Sequence, residues 1–126
     1  SISAQSLAKL EESEDTAQGL SNLAWAFAAC GFTDTPLLEA IASAAIRQMP
    51  EFAPQGLANT SWAFSALGFL NRPLLQAISA ASIPRLQVMK RKEFSNLAWS
   101  FASLRVRDVP LLAAIASQAL ASITDF

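Results

Sequence analysis

The residues best suited to chemistry in this chain are amides, cations and tryptophans on a fixed spacing. Asn22, Asn59 and Asn96 recur at 37-residue intervals, and Gln18, Gln55 and Lys92 stand four residues before them. A side-chain amide offers both donor and acceptor, so each can hydrogen-bond a base edge or a neighbouring backbone. Trp25, Trp62 and Trp99 keep the same interval. An indole can stack on a base, a contact worth about 1–3 kcal/mol, or it can fill a core. Lys90, Arg91 and Lys92 form a basic triad able to neutralise phosphates in a salt-dependent way. Cations at a helix start oppose the macrodipole, a hint that the triad serves a contact. Arg72, Arg105 and Arg107 fall where turns between helices are expected and can join that cluster.

Acid–base chemistry is poorly supplied. The 126 residues contain no His, no Tyr and one Cys. A histidine base, a Ser-His-Asp or Cys-His arrangement and a Cys/His zinc site are therefore absent from this sequence. Cys30 alone cannot form an internal disulfide. Glu11, Glu12, Glu14 and Asp15 read as a solvated acidic loop. No phosphate-cradling glycine loop appears. An enzyme is not expected, nor a cofactor, a metal or a small-molecule substrate.

Hydrophobic residues make up 52% of the chain and charged ones 15%, enough apolar side chains to bury a core. The net charge of −1 hides an asymmetry. Residues 1–46 carry one Lys against six Asp/Glu; residues 47–126 carry eight Lys/Arg against four Asp/Glu. The densest basic stretch runs over residues 85–107, and a solvated face or a polyanion contact would each account for it. Residues 52–71 lack formal charge, but Pro54, Gly56, Asn59, Gly68 and Asn71 interrupt them. A buried helix fits that stretch better than a membrane span.

The spacing extends well beyond the tryptophans. It relates Phe27, Phe64 and Phe101, then Pro36, Pro73 and Pro110. It also relates the pairs Leu37-Leu38, Leu74-Leu75 and Leu111-Leu112, then Ile41, Ile78 and Ile115. An ungapped match at so many positions marks tandem repeats. The expected fold is all-α, an α-solenoid of 37-residue helix-turn-helix units at 17–53, 54–90 and 91–126. Residues 1–16 would hold the second helix of a preceding unit and the acidic linker. Both ends would then be open to a longer chain or to other subunits.

In each unit a first helix should begin near Ala17, Pro54 and Arg91, with proline tolerated in the first turn. Leu20, Leu23, Ala24, Phe27 and Cys30 form its apolar stripe, and Trp25 and Ala29 extend it to a second side. All three tryptophans, and Cys30, are accordingly expected in the core. Gly31 and Gly68 should end the first helix in the left-handed conformation, with Arg105 in that register in the third unit. Asp34, Asn71 and Asp108 suit turns or helix starts. The second helices then carry Leu37, Leu38, Ile41, Ala45 and their partners inward. Pro50 should stop the first of them, and Pro84 should end or kink the second near Ile83.

The segments Gly-Leu-Ala-Asn-Thr-Ser-Trp-Ala-Phe-Ser-Ala-Leu-Gly-Phe (56–69) and Ser-Asn-Leu-Ala-Trp-Ala-Phe-Ala (21–28) resemble heptatricopeptide and octotricopeptide repeats. The period matches the heptatricopeptide class; the octotricopeptide class is one residue longer. Similar helices precede the RAP domain in proteins like the FAST kinases. The resemblance covers roughly residues 17–123. It implies an organellar α-solenoid, in a mitochondrion more than a plastid, that binds single-stranded or structured RNA. Transcript stability, processing, translation and ribosome assembly are the roles it implies.

On that reading, side chains that differ between units are the better base readers. Gln18, Gln55 and Lys92 are favoured over the invariant Asn22, Asn59 and Asn96, for which a backbone contact is the plainer role. Ser21, Ala58 and Ser95, and Ala28, Ser65 and Ala102, lie near them on the helix. RNA would bind a concave helix groove together with Lys90, Arg91, Lys92, Arg72, Arg105 and Arg107. The competing expectation is a protein scaffold, a structural subunit of a large organellar assembly such as a mitochondrial ribosome.

Overall fold

The computed structural model describes residues 16–124, and over them every regular element is helical. The proposed remnant of an earlier unit lies outside the described residues. Three α-helices, α1 (Thr16–Cys30), α3 (Pro54–Ala66) and α5 (Arg91–Ser103), alternate with α2 (Thr35–Arg47), α4 (Arg72–Ser82) and α6 (Val109–Thr124). Short 3-10 segments, Met49–Glu51 and Ile83–Val88, follow α2 and α4.

The helix ends follow from local chemistry. Asp34, Asn71 and Asp108 accept hydrogen bonds from the backbone N–H groups of Leu37, Leu74 and Leu111 at 3.1, 3.0 and 3.0 Å. Each satisfies one of the donors a helix start leaves unpaired. Pro54 opens α3, and α4 gives way to the 3-10 segment at Ile83, beside Pro84. Gly31 and Gly68 both adopt φ 66°, and Arg105 adopts φ 60° in the same register. In all three turns the next residue donates back across the helix end: Phe32 to Phe27 O, Phe69 to Phe64 O, Val106 to Phe101 O. An arginine holds this left-handed conformation at a cost of about 1 kcal/mol relative to glycine.

Helices α1, α3 and α5 lie side by side in one layer, and α1 and α3 run in the same direction, since Ser21 meets Gly56 and Trp25 meets Trp62. Small side chains permit the approach. The Ser21 hydroxyl lies 3.4 Å from the Gly56 carbonyl, and a Cβ at Gly56 would come within 3.3 Å of the Phe52 ring. The second layer, α2, α4 and α6, touches itself sparsely, because the 3-10 segments are wedged against its helices. Arg85 ties the two wedges together, donating to the carbonyls of Phe52 and Pro50.

The core fills the space between the layers. Leu20, Leu38, Ile41, Leu57, Phe64, Leu74, Leu75, Ile78, Leu97, Phe101 and Leu111 are all fully buried. Two buried serines of the first layer are paired locally: Ser61 donates to Ala58 O and Ser100 to Asn96 O. Among the described residues, the buried hydroxyls of Thr60, Ser65 and Ser82 find no partner. Leu23 and Leu97 hold the register of Thr60 in the other two units. Thr60→Val should therefore raise stability by about 1 kcal/mol, because it deletes an unsatisfied buried group without changing shape. A chemical denaturation midpoint below that of the parent would contradict this.

Two expectations about the core are corrected. Trp25 and Trp99 are 50% and 53% exposed, and Trp62 is only half-buried. The buried residues Ser21, Ala24, Ala58 and Ser61 are small, and Ser21 lies directly against the Gly56 backbone, a close approach that leaves little room for an indole. The tryptophans are left at the mouth of this contact. Cys30 is exposed as well. It faces the flank of α1 away from α3, where no described helix packs, whereas Leu67 and Leu104 in its register abut the core.

Candidate nucleic-acid interface

Positions four and seven residues apart fall on one side of an α-helix. Gln18, Asn22 and Trp25 on α1 therefore share a face, as do Gln55, Asn59 and Trp62 on α3, and Lys92, Asn96 and Trp99 on α5. The side-by-side packing of these helices aligns the three sets. The result is three columns: Gln18, Gln55 and Lys92; Asn22, Asn59 and Asn96; Trp25, Trp62 and Trp99. The first column is exposed throughout; Asn22 is exposed, and Asn59 and Asn96 are half-buried.

The asparagines were expected to serve a backbone contact. Among the described residues, the amides of Asn22, Asn59 and Asn96 form no hydrogen bond, so they remain available to a ligand. The Trp25 and Trp62 rings stack on each other with centroids 6.5 Å apart and planes inclined by 30°. Offset aromatic pairs of this kind hold each ring in a defined orientation.

The face is free of negative charge. Helices α1 and α3 contain no charged residue, and α5 contains Arg91, Lys92 and Glu93. The Glu93 carboxylate accepts the Lys90 backbone N–H at 2.8 Å and so serves the helix start. Among the described residues, no group of three or more His, Cys, Asp or Glu converges to hold a metal ion. No described helix is long and apolar enough to cross a membrane.

The basic stretch at 85–107 does not form one patch. Arg85 is committed to the wedge carbonyls. Arg91, a candidate contact, instead ties α5 to α6, donating to the Ser122 hydroxyl at 2.9 Å and to the Ser122 carbonyl at 3.2 Å. A bond to a residue 31 positions away leaves no trace in spacing or composition. Lys90 and Lys92 are exposed at the start of α5, and Arg105 and Arg107 are exposed in the turn beyond its end. Lys90 and Arg105 lie just beyond opposite ends of this 13-residue helix, which is about 20 Å long. Arg72 is exposed where α4 begins, after the corresponding turn.

Other neighbouring positions do not reach solvent evenly. Ser21 and Ala58 are buried in the joints, and Ser65 is buried too, so they are helix-packing residues; Ser95 and Ala102 are exposed. The tryptophan column runs counter to the core placement that the apolar spacing predicts. The stripe of small residues on α1 (Ala17, Ser21, Ala24, Ala28) was the available signal, since it already occupies the side a neighbouring helix needs.

Residues 2–109 match the family model of the RNA-editing substrate-binding complex 6 protein. That description differs from the heptatricopeptide and octotricopeptide repeats which the first-helix motif resembles. No curated protein matches the chain.

Proposed function

Because the chain belongs to the RNA-editing substrate-binding complex 6 protein family, we propose that it is a non-catalytic component of such a complex and binds single-stranded RNA. The binding surface is the exposed side of α1, α3 and α5. The observation that carries this reading is the alignment of unpaired amides and exposed indoles on a face without a carboxylate. Stacking on indoles tolerates any base, and amides add contacts to base edges. Base faces are accessible in single strands and hidden in duplexes, which is why the strand must be unpaired. A mitochondrial setting goes with this reading.

The helix pairs are read as tandem 37-residue units of an α-solenoid, with the heptatricopeptide-like motif in each first helix. The first layer is tighter than the second, which is propped apart by its 3-10 wedges. That inequality favours bending toward the first layer, with the Gln-Asn-Trp columns on the inside of the bend.

A protein neighbour belongs to the same picture. On α6, Val109, Leu120 and Ile123 are 54%, 64% and 59% exposed. Apolar exposure on one helix favours a subunit contact there, alongside the RNA contact on the other layer.

The test is binding to a labelled random single-stranded RNA pool across a salt series. Binding at low salt that weakens as salt rises is expected, because Lys90, Lys92, Arg105 and Arg107 would release counterions from phosphates. A folded, helical sample that fails to bind at low salt would leave the protein-scaffold role in its place.

A further inference from the structure

The three units serve as controls for one another. At positions 90, 92, 105 and 107, on and beside α5, the chain carries cations. The residues in register with them are Thr16, Gln18, Gly31 and Thr33 on and beside α1, and Ala53, Gln55, Gly68 and Leu70 on and beside α3. Arg91 joins this set in sequence, but its bond to Ser122 gives it a structural duty. The other four have no such explanation among the contacts of the fold.

Some of these cations sit where the fold disfavours them. Arg105 occupies φ 60°, the conformation that glycine supplies in the other two units. A strained non-glycine residue kept at an exposed turn points to a role beyond folding. Lys90 and Lys92 stand at the start of α5, where the helix dipole opposes positive charge. Between the two cationic ends the face carries Asn96 and Trp99, with the Trp99 ring 53% exposed.

Resting on the RNA reading above, we propose that α5 is the anchoring segment of this surface for single-stranded RNA. Lys90 and Lys92 hold phosphates at one end of the helix. Arg105 and Arg107 hold phosphates at the other end, and a base between them stacks on Trp99. The α1 and α3 parts of the face add stacking and amide contacts without phosphate contacts of their own. RNA is favoured over an acidic protein as the ligand because the cations flank a flat aromatic ring and amides rather than an apolar groove.

The experiment gives α5 and its flanks the residues found in register at α1: Lys90→Thr, Lys92→Gln, Arg105→Gly and Arg107→Thr together, in the full chain. The helical circular dichroism signal should persist, with a Tm at or above that of the parent, since Arg105→Gly relieves the strained turn. Affinity for an unstructured mixed-sequence RNA should fall more than tenfold at about 0.1 M salt. The slope of log affinity against log salt should flatten by about 2 to 3, at about 0.7 for each lost phosphate contact on a single strand. Trp99→Leu should also cost more affinity than Trp25→Leu.

A parent that binds, beside a four-site variant with unchanged affinity and slope, would overturn the anchoring role and leave the RNA reading standing. Equal losses from Trp99→Leu and Trp25→Leu would overturn the placement of the anchor on α5. A folded parent that does not bind RNA would overturn the RNA reading, and this inference with it.

Discussion

Trp99→Leu is expected to weaken binding to single-stranded RNA by about tenfold or more while changing stability by less than about 1 kcal/mol. Stacking of a base on an aromatic ring contributes about 1–3 kcal/mol, and leucine removes the flat π surface that makes it. Leucine still covers the apolar atoms beneath the inner half of the ring, and an apolar replacement of that kind is tolerated. Trp99 is 53% exposed, so the outer half has no partner to lose within the fold. Direct titration with a labelled RNA, beside a thermal melt, reads both quantities. An unchanged affinity would remove Trp99 from the binding surface. A large drop in Tm would show that the indole acts as a core residue.

Phe64→Ala is expected to produce the largest loss of stability of any single substitution in the first layer, about 3–5 kcal/mol. Phe64 is 1% exposed and lies in α3, which packs against α1 on one side and α5 on the other. Its ring also packs against Phe69 with centroids 5.8 Å apart. Truncation leaves a cavity that neighbouring helices cannot close without moving together. Typical domains have only about 5–15 kcal/mol of total stability, so the variant should melt well over 10 °C below the parent. Chemical denaturation monitored by far-ultraviolet circular dichroism checks this. A cost below about 1 kcal/mol would show that the interface between the layers is not close-packed around Phe64.

The contrast between Phe64 and Trp62 marks what was legible in the sequence and what was not. The helix pairs were legible because they depend on short-range signals: Pro54 in a first turn, Gly31 and Gly68 at helix ends, Asp34, Asn71 and Asp108 as caps. The inward leucines and isoleucines of the second helices were legible from their spacing. Trp25, Trp62 and Trp99 were not, because hydrophobicity alone cannot tell a side buried by a neighbour from a side left open. That choice depends on how near the neighbouring backbone comes, and Ser21 against Gly56 brings it too near for an indole.

Candidate contacts divide on the same principle. Gln18, Gln55, Lys92, Asn22, Asn59 and Asn96 share one face because helical spacing alone decides it. Nearness in sequence suggests one patch of Lys90, Arg91, Lys92, Arg105 and Arg107, and Arg72 joins it only through its expected place in a turn. A helix of 13 residues separates its two ends regardless of sequence proximity, and the Ser122 contact withdraws Arg91. The strain at Arg105 was foreshadowed by its alignment with Gly31 and Gly68, which the structure converts into a shared backbone conformation.

The most direct measurement is intrinsic tryptophan fluorescence of the folded chain, titrated with unstructured single-stranded RNA at low salt. The chain has three tryptophans and no tyrosine, so the emission reports the columns on α1, α3 and α5 alone. Saturable quenching that is reversed by added salt is the predicted result. Emission that stays unchanged up to high RNA concentration, in a sample that remains helical, would contradict an RNA-binding role for this face.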